Sequence, residues 1–175
     1  MTEVIRNDQI AKRIYLLKIK LNEKKVIKPG QFFNLKVRDG ESYDPLLRRP
    51  LSVFDYNSVR NEVSFIYQIV GRGTRILSKY KNGDFIDIQG PLGNGFTLGF
   101  NENKLVLAGG GMGIVPLYYL AKNLGSDNDL TLCLGAANRE VLKPLANYFA
   151  DLAINPNIGY NEDKYKKSDD SKVLT

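Results

Sequence analysis

Histidine is absent from the 175 residues and cysteine occurs once. Without histidine the chain lacks the commonest general base, the Ser/His and Cys/His nucleophile pairs and the commonest metal ligand. A single thiol, Cys133, closes no internal disulfide and cannot alone hold zinc or an iron–sulfur cluster, which take about four ligands. Long hydrophobic runs are missing too. The most apolar stretch, residues 104–121, is interrupted by four glycines and Pro116, too broken for a membrane span of roughly 20 apolar residues. Residues 1–13 contain no apolar core for a secretory signal, so a cytoplasmic setting is expected. With so few reactive side chains, the chemistry is expected to belong to a borrowed cofactor, and no metal site is expected.

What remains is the composition of a globular protein with a real core: 43% hydrophobic and 25% charged residues, enough for one domain or two small ones. The net charge of +6 comes from 25 basic and 19 acidic residues. The basic residues are spread along the chain without a long run or an aromatic–basic signature, which argues against nucleic acid as a partner. An anionic dinucleotide suffices to explain a mild positive excess.

The first hundred residues read as β-rich. In residues 14–21, Tyr15, Leu17, Ile19 and Leu21 alternate with Leu16, Lys18 and Lys20, the period of a strand with one wet face. Lys28-Pro29-Gly30 is a turn signal, after which Phe33, Leu35 and Val37 fall on one side. A turn cluster at residues 39–45 precedes RRPLSVFDY, EVSFIYQIV alternates again, residues 74–80 read as a short helix, and DFIDIQ is the last strand before GPLGNG. Short strands with regular turns predict a small antiparallel barrel. Beyond a polar hinge at residues 100–103 the pattern changes. KLVLAG and TLCLGA read as strands buried on both faces, each followed by a helix; the second helical segment, residues 138–152, carries a potential break at Pro144. Strand–helix–strand–helix predicts a parallel α/β unit, half of a doubly wound domain. The polar residues from 155 onward read as loop or disorder.

Four segments have the composition of ligand loops. In residues 48–52, Arg49 can neutralise a phosphate through paired N–H donors, and Ser52 can donate to a ring nitrogen, with Pro50 stiffening the backbone between them. The same residues also suit a proline-opened edge strand. In residues 70–74 two glycines permit close backbone approach, and Thr74 suits an N-cap or first helical turn able to receive a pyrophosphate; a plain glycine turn is the alternative. Residues 90–96 form a shaped loop in which Phe96 fits core packing better than ring cover. Residues 108–116 follow a strand and open a helix, the context of a phosphate loop. They lack the strict G-x-G-x-x-G pattern, since Ile114 takes its third glycine position, but Pro116 suits a first helical turn, and four glycines in five positions favour dinucleotide binding. Arg139 and Glu140 after the second strand fit either NAD or NADP.

In this order and spacing, RRPLS, GRGT, GPLGNGF and LAGGGMGIVPL resemble the electron-transfer subunits of class 1B dihydroorotate dehydrogenases, within the ferredoxin–NADP reductase superfamily. The likeness covers residues 4–149. It implies a β + α/β fold: an antiparallel FAD-binding β-barrel over residues 1–100, a truncated parallel α/β NAD-binding domain over 101–154, and a disordered or truncated tail over 155–175. It places flavin contacts on Arg49, Pro50, Leu51, Ser52, Ile66, Tyr67 and Gln68, the pyrophosphate on Gly73 and Thr74, and NAD(H) on Gly109, Gly110, Gly111 and Gly113. Ser52 is the residue expected to act at flavin N5, with hydride passing to or from the nicotinamide without a side-chain acid or base. Gln68 stands where many relatives carry arginine, which removes one charge contact. Leu51 stands where the wider superfamily carries a flavin-stacking tyrosine, so aromatic stacking there is expected to be absent.

In that family, electrons come from dihydroorotate oxidised on an FMN-containing dihydroorotate dehydrogenase catalytic subunit. They reach FAD through a [2Fe–2S] cluster and pass to NAD⁺, in pyrimidine biosynthesis. Four cysteines in the C-terminal third hold the cluster. This sequence has no such segment, so a truncated or frameshifted product, or a missing segment, is expected, and the relay is expected to be broken or slow. A stand-alone NAD(P)H:flavin or ferredoxin reductase and a non-catalytic flavin-binding remnant are the other readings.

Overall fold

A computed structural model describes residues 1–38, 44–99, 104–125, 128–152, 154 and 157–160. Residues 39–43 of the first turn cluster, the expected hinge at 100–103, and residues 155, 156 and 161–175 of the expected tail lie outside the described residues. Six strands close a barrel: β1 (Thr2–Ala11), β2 (Ile14–Lys20), β3 (Phe32–Lys36), β4 (Arg49–Asn57), β5 (Glu62–Gln68) and β6 (Phe85–Leu92). Their order is β1-β2-β5-β4-β3-β6, with every pairing antiparallel. The two-residue period sends Leu17, Ile19, Phe33, Leu35, Val53, Val63, Phe65, Tyr67 and Ile86 inward, where all are buried. Helix α1 (Arg72–Leu77) follows β5 and plants Ile76 and Leu77 in the same core. It starts earlier than the sequence implied and takes Gly73 into its first turn.

The second layer is a parallel sheet in the order β7-β8-β9, made of β7 (Lys104–Gly110), β8 (Asp129–Ala136) and β9 (Asn157–Tyr160). Helices α2 (Val115–Leu124) and α3 (Arg139–Ala150) accompany it. Leu107, Leu132 and Leu134 pack with residues of both helices and with Ile14, Leu16, Phe54 and Ile66 of the barrel. Helix α2 is seated on the barrel: Tyr118 stacks on Phe54 with centroids 4.4 Å apart, Lys122 pairs with Asp55 at 2.8 Å, and Tyr119 enters the barrel core and donates to the Ile27 carbonyl at 3.2 Å.

Several expectations are corrected. The second face of β2 is wet only at its lysines, because Ile14 and Leu16 are covered by the α/β layer. Strands β7 and β8 are covered on one face only: Val106 is 68% exposed and Cys133 is exposed, because their inward leucines pack in the cluster that both helices share. Helix α3 runs unbroken through Pro144. A mid-helix proline costs about 3 kcal/mol, and the buried stripe Leu142, Leu145, Ala146 and Phe149 offsets it, at roughly 1.5–3 kcal/mol for each large apolar side chain. Residues 157–160, read as part of a structureless tail, form β9. No helix among the described residues is long and apolar enough to cross a membrane.

Candidate functional site

A cleft of about 340 Å³ opens where β4, β5 and the start of α1 meet the glycine loop ahead of α2. Its walls include Arg49, Pro50, Leu51, Ser52, Ile66, Tyr67, Gln68 and Thr74. Segments separated by a strand hairpin and a turn thus reach one concavity, of a size typical for small-molecule sites.

The two adjacent arginines divide their roles. Arg48 is bound to Asp87, Nη2 to Oδ2 at 2.6 Å, and this hydrogen bond holds the Asp87 carboxyl below its ordinary value. Arg49 has no carboxylate partner among the described residues; its Nη1 donates to the Leu47 and Arg48 carbonyls. Its guanidinium lies directly against Gly73. A Cβ at Gly73 would sit 2.0 Å from Arg49 Nε and 2.6 Å from Cζ. Glycine at 73 is therefore the condition for the arginine's position. Just there α1 begins, with Gly71 as N-cap, and the N–H groups of its first turn have no intrahelical acceptor. The Arg49 guanidinium and the Gly73 and Thr74 N–H groups lie together at this turn, donor types that suit an anion.

Thr74 takes neither the N-cap place nor a free role. It is the third helical residue, and its hydroxyl accepts from Val70 N (3.0 Å) and Gly71 N (3.2 Å) and donates to Gly71 O (3.1 Å). The side chain shapes the turn, so what Thr74 can offer a ligand is its N–H. Ser52 is half-buried on β4 opposite Phe32, and its hydroxyl has no partner among the described residues. On β5 the alternation separates two neighbours. Ile66 packs in the cluster shared with the α/β layer, whereas Tyr67 points into the barrel core. There its hydroxyl donates to Asn7 at 3.0 Å and its ring stacks on Tyr15. Burial pushes the Tyr67 phenol far above its ordinary pKa, so it is a fixed donor.

Val70, Met112 and Val115 also line the cleft, although the sequence reading had not singled them out. Met112 sits inside the glycine loop, where attention falls on the glycines; only the docking of α2 on β4 turns its side chain towards the barrel. Among the loop glycines themselves, Gly109 is a packing residue, since a Cβ there would meet Leu117 Cδ1 at 2.6 Å. Gly111 and Gly113 face open space, and Gly111 has a φ of +54°. None of Gly109, Gly110, Gly111 and Gly113 is a wall of the cleft; they lie beside it, in a short 3-10 turn over Gly111–Ile114 and the strand before it. Phe96 is 39% exposed and belongs to neither core. Its ring lies over Gly30, which corrects the core-packing expectation.

Residues 1–96 match the family described as oxidoreductase FAD-binding domain. The chain is 44% identical over 126 residues to the dihydroorotate dehydrogenase B (NAD(+)) electron transfer subunit of Clostridium acetobutylicum, covering 72% of this chain and 48% of that one. Against the protein of the same name from Streptococcus mutans the identity is 35% over 161 residues, 89% of this chain and 61% of that one. The chain thus spans about half the length of such relatives. Its fold resembles that of an NADH-dependent reduced ferredoxin-NADP oxidoreductase, with a TM-score of 0.79 and 29% identity over 93% of this chain and 57% of the other. It also resembles the fold of ferredoxin-NADP+ reductase from Plasmodium falciparum, with a TM-score of 0.76 and 16% identity over 95% of this chain and 74% of that one.

Proposed function

The chain belongs to the oxidoreductase FAD-binding domain family, and from that premise we propose that it is the electron-transfer part of an NAD-dependent dihydroorotate dehydrogenase, holding FAD in the cleft beside β4 and exchanging electrons with NAD(H). The observation that carries this reading is the convergence of Arg49, Ser52 and the Gly73–Thr74 turn on one cleft. The residues present fit the cofactor. Arg49 and the Gly73 and Thr74 N–H groups suit a pyrophosphate, Leu51 and Ile66 supply apolar walls for a flat ring, and the Ser52 hydroxyl, without a partner among the described residues, supplies a donor for a ring nitrogen.

When bound, FAD would supply the hydride and electron chemistry that side chains do not provide. Arg49 neutralises phosphate charge, and its own position is held by Gly73. Ser52 holds a hydrogen bond to flavin N5 in this reading and so is its one catalytic side chain. The loop from Gly109 to Gly113 would hold the nicotinamide nucleotide beside the cleft that Met112 lines. The proposed partner is an FMN-containing subunit that oxidises dihydroorotate, and the proposed setting is cytoplasmic. A [2Fe–2S] cluster does not fit these residues: they contain one cysteine, and it lies exposed on β8.

The test is a visible spectrum after incubation with FAD and gel filtration, followed by anaerobic addition of NADH. Retained flavin absorbance that bleaches with NADH is the expected result. A chain that stays colourless would overturn the flavin assignment, and bound flavin that NADH leaves oxidised would overturn the nicotinamide assignment. Adding the FMN subunit and dihydroorotate then tests the partner: reduction of the bound flavin is expected, and flavin left oxidised would overturn the partner assignment.

A further inference from the structure

Asn7 is a half-buried polar side chain on β1, far in sequence from every cleft residue, and both its N–H groups and its oxygen are engaged. Its Nδ2 donates to the carbonyls of Leu77 at 2.8 Å and Tyr80 at 2.9 Å, while its Oδ1 accepts from the Tyr67 hydroxyl at 3.0 Å. The orientation of the amide follows from its partners, because two carbonyls require both N–H protons and a protonated phenol donates to the oxygen. Leu77 ends α1 and Tyr80 follows it; the Leu77 carbonyl also accepts from Tyr80 N at 3.1 Å, so the Asn7 amide is tied to the turn that closes the helix. Tyr67 belongs to β5, one wall of the cleft. The opposite end of the same short helix carries Gly73 and Thr74, with Arg49 lying on Gly73.

We propose that Asn7 is a positioning residue for FAD: one amide fixes the far end of α1 to the strand that walls the cleft, and so sets where the first turn of α1 and Arg49 meet the pyrophosphate. This rests on the flavin reading above and adds to it a residue that touches no cofactor. The physical reason is leverage. A helix of six residues is too short to hold its own geometry, so the aim of its first turn depends on both ends: the Thr74 hydrogen bonds at its start and the anchorage at its far end. Ile76 and Leu77 anchor it by burial, which resists extraction but has no direction. The Asn7 hydrogen bonds supply the direction, fixing rotation and tilt.

The experiment compares the wild-type chain with Asn7→Ala and Tyr67→Phe, measuring the thermal melt without cofactor and the Kd for FAD and for riboflavin, which lacks phosphate. Asn7→Ala is expected to weaken FAD by about tenfold, the effect of about one lost positioned hydrogen bond, and to weaken riboflavin by less than half as much on a logarithmic scale. Tyr67→Phe leaves both carbonyl bonds in place and is expected to give a smaller loss in the same direction. Equal weakening of both ligands, or an unchanged FAD Kd in either folded variant, would overturn the positioning role. If Asn7→Ala fails to fold, Tyr67→Phe decides alone by the same FAD-to-riboflavin ratio. Failure of the wild-type chain to bind FAD would instead refute the underlying flavin reading.

Discussion

Replacing Gly73 by alanine separates the proposed phosphate contacts from the stability of the fold. The added Cβ would stand 2.0 Å from Arg49 Nε and 2.6 Å from Nη2, so the guanidinium must leave. Those atoms are the end of a flexible, half-buried side chain, so the barrel can accommodate the change, and alanine inside a helix gains back up to about 1 kcal/mol over glycine. A stability change within about 1 kcal/mol is therefore expected. What is lost is the arginine's place. A hydrogen bond to a charged group contributes about 1.5–3 kcal/mol, which predicts a loss of FAD affinity of roughly ten- to hundredfold. Gly71→Ala is the control, because nothing lies within 4 Å of a Cβ there and its extended φ of -160° suits any residue. Thermal melts and flavin-fluorescence titrations of the two variants provide the measurement. If Gly73→Ala bound FAD as tightly as Gly71→Ala, Arg49 would not be the phosphate ligand.

The remaining expectations concern Ser52, the arginine pair and the glycine loop. Ser52→Ala should retain FAD yet slow its reduction by NADH by about three- to tenfold, the size of one neutral hydrogen bond, in anaerobic stopped flow. Arg48→Ala should leave the FAD Kd unchanged and cost no more than about 1 kcal/mol of stability after solvent screening, whereas Arg49→Ala should weaken FAD. Because Arg48 depresses the pKa of Asp87, their stabilisation is present above the ordinary aspartate value of about 3.9 and is lost as pH falls through the depressed one. The melting difference between wild type and Arg48→Ala should therefore shrink on acidification below that value. Gly109→Ala should cost about 1–3 kcal/mol by overpacking against Leu117, while Gly113→Ala, with open space around it, should leave the melt unchanged and raise the Kd for NADH.

Local pattern carried far in this chain. The alternation of Phe33, Leu35 and Val37 marked a barrel-lining strand, and all three are buried. The arginine–serine segment and the GRGT turn could be read as ligand loops from residue chemistry, the end of β5 only from the family resemblance, and the three meet at one cleft. What escaped was set by neighbours distant in sequence. KLVLAG and TLCLGA have the composition of doubly covered strands, yet Val106 and Cys133 are exposed, since cover depends on which layers pack and not on the strand itself. The helix signal around Pro144 was ambiguous because a local cost competes with a buried stripe that becomes visible only once α3 meets the sheet. Thr74 stands in the first helical turn, one of the two places its type suggested, but its hydroxyl closes the turn behind it. Met112 carries no motif of its own and gains its place only through the docking of α2.

The insertion of Tyr119 into the barrel bears on how such proteins can be recombined. Helix α2 belongs to the nucleotide layer by topology, but by its packing it is also a lid on the barrel. A chimera joined at the start of β7 would pair one parent's barrel with another parent's tyrosine and disturb the flavin half while meaning to alter only coenzyme choice. A splice made after Gly125 would carry strand, loop and helix over as one piece with the barrel that receives them.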